Sequence, residues 1–348
     1  MAALLVCSAA ILKNPVALCI IGIGQDSLSH KTSGVFSMSD YNTSNSILQD
    51  VSSSGRVRPW NERKRQSVKV SSSYFRLGYD KKAERMRSCG NYLEFKRFSD
   101  NSLKLWHASF CKARLCPMCA WRRSLLIYHQ VRSIMDYFDG KYEFLFLTLT
   151  VKNCLYDEIG ECLDSLKTGM NRLFRSKEVS SITKGFFYAF EITVNHENLS
   201  FHPHIHLCIA VNKSYFKKGY IKQTDWTEFW KRSCKLDYTP IVHIEKFSGE
   251  IEKSVAEAAK YTVKPGDLVY DDEFMQDVVI QSLDDGIYQK RLIGFRGCFL
   301  SARKALKLED VEKADLVSVD GSRDDIREFT VEKYFFQTGI NFGVYKRI

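Results

Sequence analysis

The stretch that most narrows the fold runs from residue 185 to residue 211. GFFYAFEITV (185–194) and HIHLCIAV (204–211) are apolar runs of strand length, and a short polar connection beginning NHENLSF separates them. Two such runs with so short a link predict an antiparallel hairpin, centred near Glu197 and Asn198. Upstream, FLFLTLTV (144–151) has the length and apolarity of a buried strand, and downstream YTPIVHIEKF (238–247) reads as a fourth. Between the first two strands, Asp157 to Lys177 carries apolar residues at 159, 162, 163, 166, 170, 173 and 174, which is helical spacing. Thr224 or Asp225 is placed to cap a helix whose Trp226, Phe229 and Trp230 face inward. A further helix is expected over GEIEKSVAEAAKYTVK (249–264), ended by Pro265-Gly266. The order β-α-β-β-α-β predicts an α+β fold with a ferredoxin/RRM-like split βαβ antiparallel sheet and flanking helices. Residues 267–348 contain a charged helical segment (Ser301–Leu308) and a strand-like end, without a place in that scheme.

Strand periodicity puts His202, His204 and His206 on one face. Glu191 shares parity with Phe187, Ala189 and Thr193, and the hairpin brings it opposite His204. Imidazole with carboxylate suits Mg2+, Mn2+ or a first-row divalent ion. Glu191 and His202 compete as third ligand beside His204 and His206, and satisfied structural histidines are the bland alternative. On the expected helix, Glu257, Tyr261 and Lys264 fall at i, i+4 and i+7, one stripe beside Ile251, Val255, Ala258 and Ala259. A free phenol, with its pKa of about 10, is a poor nucleophile and needs nearby ammonium groups or a polarised phosphate to react. By itself the motif better describes a surface tyrosine among paired charges on an amphipathic helix.

Charge is unevenly placed. The net charge is +10, and between Lys81 and Arg132 twelve Lys/Arg face three acids, a local +9. Such a block interleaved with Phe, Tyr and Trp predicts a nucleic-acid surface, with Arg114, Arg122 and Arg123 as candidate DNA contacts. The same block holds Cys111-x4-Cys116-Pro-x-Cys119, with Cys89 upstream. This spacing matches a structural zinc site, His107 being the rival to Cys89 as fourth ligand. The remaining cysteines are scattered singly in apolar contexts, the pattern of reduced thiols in a cytoplasm. Met1 to Gly24 is apolar but broken by Lys13, Asn14 and Pro15, and each half is too short to span a bilayer. Residues 25–73 are rich in Ser, Asn and Asp without periodicity and read as a disordered tail.

Taken in register, these motifs resemble the plasmid rolling-circle replication initiators of the Rep_1 type, within the HUH endonuclease superfamily. The resemblance runs through CGNYLEF (89–95), FCKARLCPMCAWRRS (110–124), FLTLTV (146–151), FEITVN and FHPHIHLCIAV (190–211), EAAKYTVKPGDL (257–268) and the LIGFRG to ARKALKL region (292–308). It implies an enzyme that binds plasmid origin DNA, both duplex and exposed single strand, and works with host helicase and polymerase. One strand would be nicked through a 5′-phosphotyrosine, freeing a 3′-OH primer. Carried over, His204 and His206 are the metal pair, Tyr261 the nucleophile, Glu257 the water-activating acid and Lys264 the phosphate-positioning lysine. Four regions are then expected: an atypical extension (1–73), a zinc-binding basic module (74–135), the nickase core (136–266) and an unplaced remainder (267–348). The first seventy-odd residues depart from the family pattern, and Met38 and Met86 are alternative starts. An HUH transposase, a mobilisation relaxase and a non-catalytic zinc-containing DNA-binding regulator are the rival functions.

Overall fold

In chain order the described elements are α1 (Trp60–Arg76), α2 (Asp80–Arg87), β1 (Tyr92–Phe98), β2 (Leu103–Ala108), α3 (Pro117–Tyr137), β3 (Tyr142–Thr150), α4 (Ile159–Arg175), α5 (Lys177–Ile182), β4 (Thr183–Asn195), β5 (Ser200–Asn212), α6 (Gln223–Cys234), β6 (Val242–Lys246), α7 (Glu273–Gly286), β7 (Ile293–Gly297), α8 (Cys298–Ala305), β8 (Phe329–Gln337) and β9 (Val344–Arg347). They belong to a computed structural model, which describes residues 47–52, 55–247, 255, 262–319, 327–339 and 343–348. Two antiparallel sheets result, one ordered β6-β3-β5-β4-β7 and the other β2-β1-β8-β9. The mixed α+β class is the expected one.

In the five-stranded sheet, alternation sends each strand's residues into two different cores. Leu145, Leu147, Leu149, Ile205, Leu207 and Ile209 pack with Leu163, Leu166 and Met170 of α4 and Trp226 and Trp230 of α6. Phe146, Phe187, Ala189, Cys208 and Ala210 pack on the opposite side with Ile127, Val131 and Ile134 of α3 and Phe299 and Ala302 of α8. Burying one such large apolar side chain contributes about 1.5–3 kcal/mol, so the sheet is held by packing on both faces. The close approach of α4 to α6 depends on Gly169, where a Cβ would stand 2.2 Å from Cys234 Sγ and 3.2 Å from the Trp230 ring.

Three expectations need correction. Residues 60–73 are not a disordered tail: they form most of α1, which buries Trp60, Lys64, Ser67, Val70, Ser71 and Tyr74. The apolar period escapes notice because half of that buried face is polar. Nor is the region after 267 separate from the cysteine module. β8 pairs with β1 over seven residues, Arg97 makes a two-pronged bond to Glu332 at 2.7 and 2.8 Å, and Arg76 on α1 does the same to Asp277 on α7. The third concerns the helix expected over 249–264, of which only Val255 and Thr262–Lys264 are described. Thr262 to Lys264 are not helical: Val263 bridges to Ile192, and Lys264 has φ −66° and ψ 135°. The cause is local, since Pro265 pushes the residue before it out of the α region. No described helix is long and apolar enough to cross a membrane. The expectations for residues 1–46 lie outside the described residues.

Candidate metal centres

The β4–β5 hairpin sets the first centre. Asn195 Oδ1 accepts from Glu197 N at 2.9 Å and Asn198 Oδ1 from Ser200 N at 3.1 Å, so side chains close the turn that the sequence places there. Asn195 then faces Ser200, which fixes Glu191 opposite His204 and Ala189 opposite His206. A slip of one residue would turn every one of these side chains to the other face. On the far side of β5, Thr148 of β3 pairs with His206.

Glu191, His204 and His206 form one group of buried donors. His206 Nε2 lies 2.9 Å and His204 Nε2 3.3 Å from Glu191 Oε2. Around a six-coordinate ion with ligands at about 2.1 Å, neighbouring donors stand about 3 Å apart, so the three side chains match one such ion. His204 Nδ1 lies 3.1 Å from the His202 carbonyl, which only accepts, so Nδ1 carries the proton. In the neutral ring, Nε2 then presents a lone pair to a carboxylate oxygen, an arrangement that calls for a cation between them. Glu191 Oε1 is buried without a hydrogen bond, and its facing cation is Lys264 Nζ at 3.5 Å. Burial alone would raise the Glu191 pKa; when both imidazoles are protonated instead, their hydrogen bonds and charge hold it well below the usual carboxylate range. The donor set, two imidazoles and one carboxylate, therefore fits a divalent metal ion. His202 shares the face but is half-buried, bonds Asn153 Oδ1 at 2.9 Å, and is not in the group.

Lys264 reaches this group from an extended segment rather than a helical stripe. Ile192 N donates to Thr262 O at 2.7 Å, so Thr262–Lys264 lies along β4 directly beside Glu191. Thr148 Oγ1 stands 3.1 Å from His206 Nδ1 and orients that ring, a contact the sequence reading missed because nothing in β3 marks one threonine among its neighbours. Glu257 and Tyr261 lie outside the described residues. Tyr261 is the peptide neighbour of Thr262, and Val255, six residues before it, is buried in the core on the α3 side of the sheet.

The second centre is assembled from separate pieces of chain. Cys89 follows α2, Cys111 sits in the loop after β2, and Cys116 and Cys119 begin α3. Their sulfurs stand 3.5 Å (Cys89–Cys119), 3.7 Å (Cys111–Cys119) and 3.7 Å (Cys89–Cys116) apart, and all four are free thiols. A tetrahedral Zn2+ with Zn–S of about 2.3 Å has S···S edges of about 3.8 Å, so the cluster fits zinc. Cys111 N points at Cys89 Sγ at 3.3 Å, and Ser67 Oγ lies 3.4 Å from Cys116 Sγ. Lys64 is buried and donates to the carbonyls of Arg87 and Cys89, at 2.6 and 2.8 Å. Burial alone would raise the Cys116 thiol, but hydrogen bonds from the three other cysteines and Ser67 hold it below the ordinary range. His107 is exposed on β2 and takes no part. Neither Lys64 nor Ser67 was legible, because both lie on α1, in the stretch read as a tail.

The arginines expected to touch DNA divide. Arg122 and Arg123 are buried: Arg122 donates to the carbonyls of Leu316 and Val317, both at 2.8 Å, and Arg123 to those of Lys112 and Ala113. Their charges serve loop carbonyls rather than a nucleic-acid surface. Arg114 is partly exposed, donates to Ile287 O at 2.6 Å and lies 3.7 Å from Glu312.

The family model described as Rep_1, Replication protein, matches residues 102–340, which include three of the four clustered cysteines and all of the Glu-His-His group. "Protein rep" of Bacillus amyloliquefaciens is 39% identical, covering 81% of this chain and 91% of that protein. "Protein rep" of a Bacillus sp is 42% identical over 69% of this chain and 86% of that protein, and "Protein rep" of Streptococcus pneumoniae serotype 2 is 38% identical over 84% and 93%. No solved structure gives a significant match. With a family match across more than half its length and relatives covered almost end to end, the chain belongs to the Rep_1 family of replication proteins.

Proposed function

We propose that this replication protein is a plasmid rolling-circle initiator that binds its origin and nicks one strand through Tyr261. The observation that carries the reading is the buried Glu191-His204-His206 group with Lys264 beside it, on a segment that begins one residue after Tyr261. The order β6-β3-β5-β4, with helices following β3 and β5, supports the ferredoxin/RRM-like split βαβ reading of the core. Glu191, His204 and His206 hold Mg2+ or Mn2+, which when bound polarises the scissile phosphate as a Lewis acid. The Tyr261 phenol oxygen attacks phosphorus, the bond from phosphorus to the 3′ oxygen breaks, and that oxygen leaves with a proton as the 3′-OH primer. One phosphoester replaces another, so no ATP is consumed. Lys264 sets positive charge where the phosphate gains negative charge. Glu257 activates the water that ends the cycle. The four cysteines hold structural Zn2+, the host cytoplasm supplies helicase and polymerase, and the 3′-OH primes synthesis.

The test is nicking of a supercoiled plasmid carrying the cognate origin, with covalent protein–DNA adduct read on a denaturing gel. Wild-type protein with Mn2+ should nick and form adduct; Tyr261→Phe should bind the origin and form none. Adduct persisting in that variant removes Tyr261 from the role. Absence of metal-dependent nicking by the wild type would favour a non-catalytic regulator, and cleavage confined to transposon ends or a transfer origin would favour a transposase or relaxase.

A further inference from the structure

The basic, aromatic block singled out in the sequence is not absorbed by the nicking site, and two of its arginines are buried. Three of its other cations, Lys96, Arg97 and Lys104, and the Trp106 ring lie on the second sheet. Register places Tyr92 opposite Phe335, Glu94 opposite Lys333, Lys96 opposite Val331 and Phe98 opposite Phe329, all pointing away from the core that holds Leu93, Phe95, Tyr334 and Phe336. Lys104 of β2 lies directly opposite Lys96, and Lys346 of β9 directly opposite Phe335. This face thus carries four lysines, Lys96 among them buried beneath the rings, against one acid, Glu94, 3.9 Å from Lys333.

Three of its rings are exposed: Trp106, at the β1–β2 bulge, is 52% accessible, and Phe329 and Phe335 are exposed as well, whereas Phe98 is buried. Cations brace them: Lys96 Nζ stands 3.5 Å from the Trp106 ring centroid and 4.2 Å from that of Phe329, and Arg327 stands 4.0 Å over Phe98. Two lysines directly opposite one another repel, and the Lys104 ammonium is shielded from solvent without a hydrogen bond. An ordinary solvated face would gain by a carboxylate at either position. A protein partner's apolar surface would leave these ammonium groups without counter-charge. Unpaired bases stack on exposed rings while lysines take the phosphates, and single-stranded DNA offers both at once.

From this geometry we infer that the outward face of the β2-β1-β8-β9 sheet is a single-stranded-DNA platform, with bases stacked on Trp106 and Phe335 and phosphates at Lys333 and Lys346. It is separate from the Glu-His-His centre and shares no residue with it. A replication protein that exposes single strand would use it to hold one strand without reading its sequence.

The experiment measures binding of full-length protein to a fluorescein-labelled oligothymidylate by anisotropy, without added Mg2+ or Mn2+. Trp106→Ala/Phe335→Ala should weaken binding about tenfold or more, with an unchanged thermal melt. Lys333→Gln/Lys346→Gln should reduce the slope of log affinity against log salt by roughly 0.7 per lysine. In the wild type, oligothymidylate should quench tryptophan emission; Trp106→Phe should keep the affinity and lose most of the quench. Unchanged affinity and salt slope in both double variants overturn the proposal. So does a change in molar mass by light scattering with no change in DNA affinity, which would make the face a contact between copies. If the ring variant does not fold, the lysine pair and the wild-type quench decide alone. Because nothing is cleaved in this assay, failure of the nicking reading leaves its result intact.

Discussion

The two donor clusters differ in what exists before any metal arrives. Glu191, His204 and His206 stand on adjacent strands whose backbone bonds and two-sided core already hold them in place. The four cysteines come from a helix exit, a loop and a helix start, joined by the cluster itself and by side-chain bonds from Lys64, Ser67 and Arg123. The first is a site that a fold presents; the second is a fold that a site completes. Imidazole and carboxylate donors on a preformed scaffold suit turnover, whereas buried thiolates tying chain segments together suit permanence.

That contrast can be broken in graded ways. The largest effect should come from the thiolates. Apparent zinc-binding free energies of about 10–16 kcal/mol rival the whole stability of a domain, so Cys116→Ser should leave the cysteine module unfolded. Zinc content by atomic emission and the melting profile with and without a strong chelator check it; a native melt in the metal-free variant would undo the contrast. Next, His206→Gln should lower origin nicking by at least about a hundredfold, while thermal stability shifts by only a few degrees. A collapse of the fold in that variant would mean the first cluster is structural too. Smaller is Arg122→Ala, which strands the carbonyls of Leu316 and Val317 and should destabilise by about 1–3 kcal/mol in denaturant titration. Origin affinity should hold; a selective loss of affinity would restore Arg122 to the DNA surface.

The smallest effect concerns Glu332, bonded by Arg97 and Tyr334 and paired with Arg347. Burial alone would raise its pKa, but those bonds and charges outweigh burial and hold it below the usual value of 4.5. A depressed folded-state pKa gives stability that is present above the unfolded value and disappears as pH falls through the folded one. Wild type should therefore exceed Glu332→Gln by about 1 kcal/mol near neutrality, with the difference closing below pH 4.5. A difference that persists in acid would assign the effect to shape rather than charge.

Much of the first cluster was legible in the sequence because parity and a short polar link determine register: a hairpin centred between Glu197 and Asn198 leaves Glu191 opposite His204 by arithmetic. The cysteine cluster was legible because two of its members are three residues apart on one helical turn. Local rules failed where the partner is remote or the buried face polar. Arg122 looks like any basic surface residue until the carbonyls 194 and 195 residues away are in place. Lys64 and Ser67 break the apolar period of α1 because they serve the cysteine cluster. Lys264 was counted on a helical stripe, although the proline after it already argued for an extended backbone.

The pairing of β1 with β8 has a consequence for how the protein is born. Arg97 and Glu332 are 235 residues apart, so at about 5–20 residues per second a ribosome needs roughly ten to fifty seconds between making one and making the other. Throughout that interval β1 has an open edge, while the strands of the larger sheet, all but β7 within residues 142–246, emerge before it closes. The larger sheet can therefore close on the nascent chain, and the smaller waits for the last twenty residues. A message cut short near its end would release a chain whose larger sheet is complete and whose smaller sheet is not.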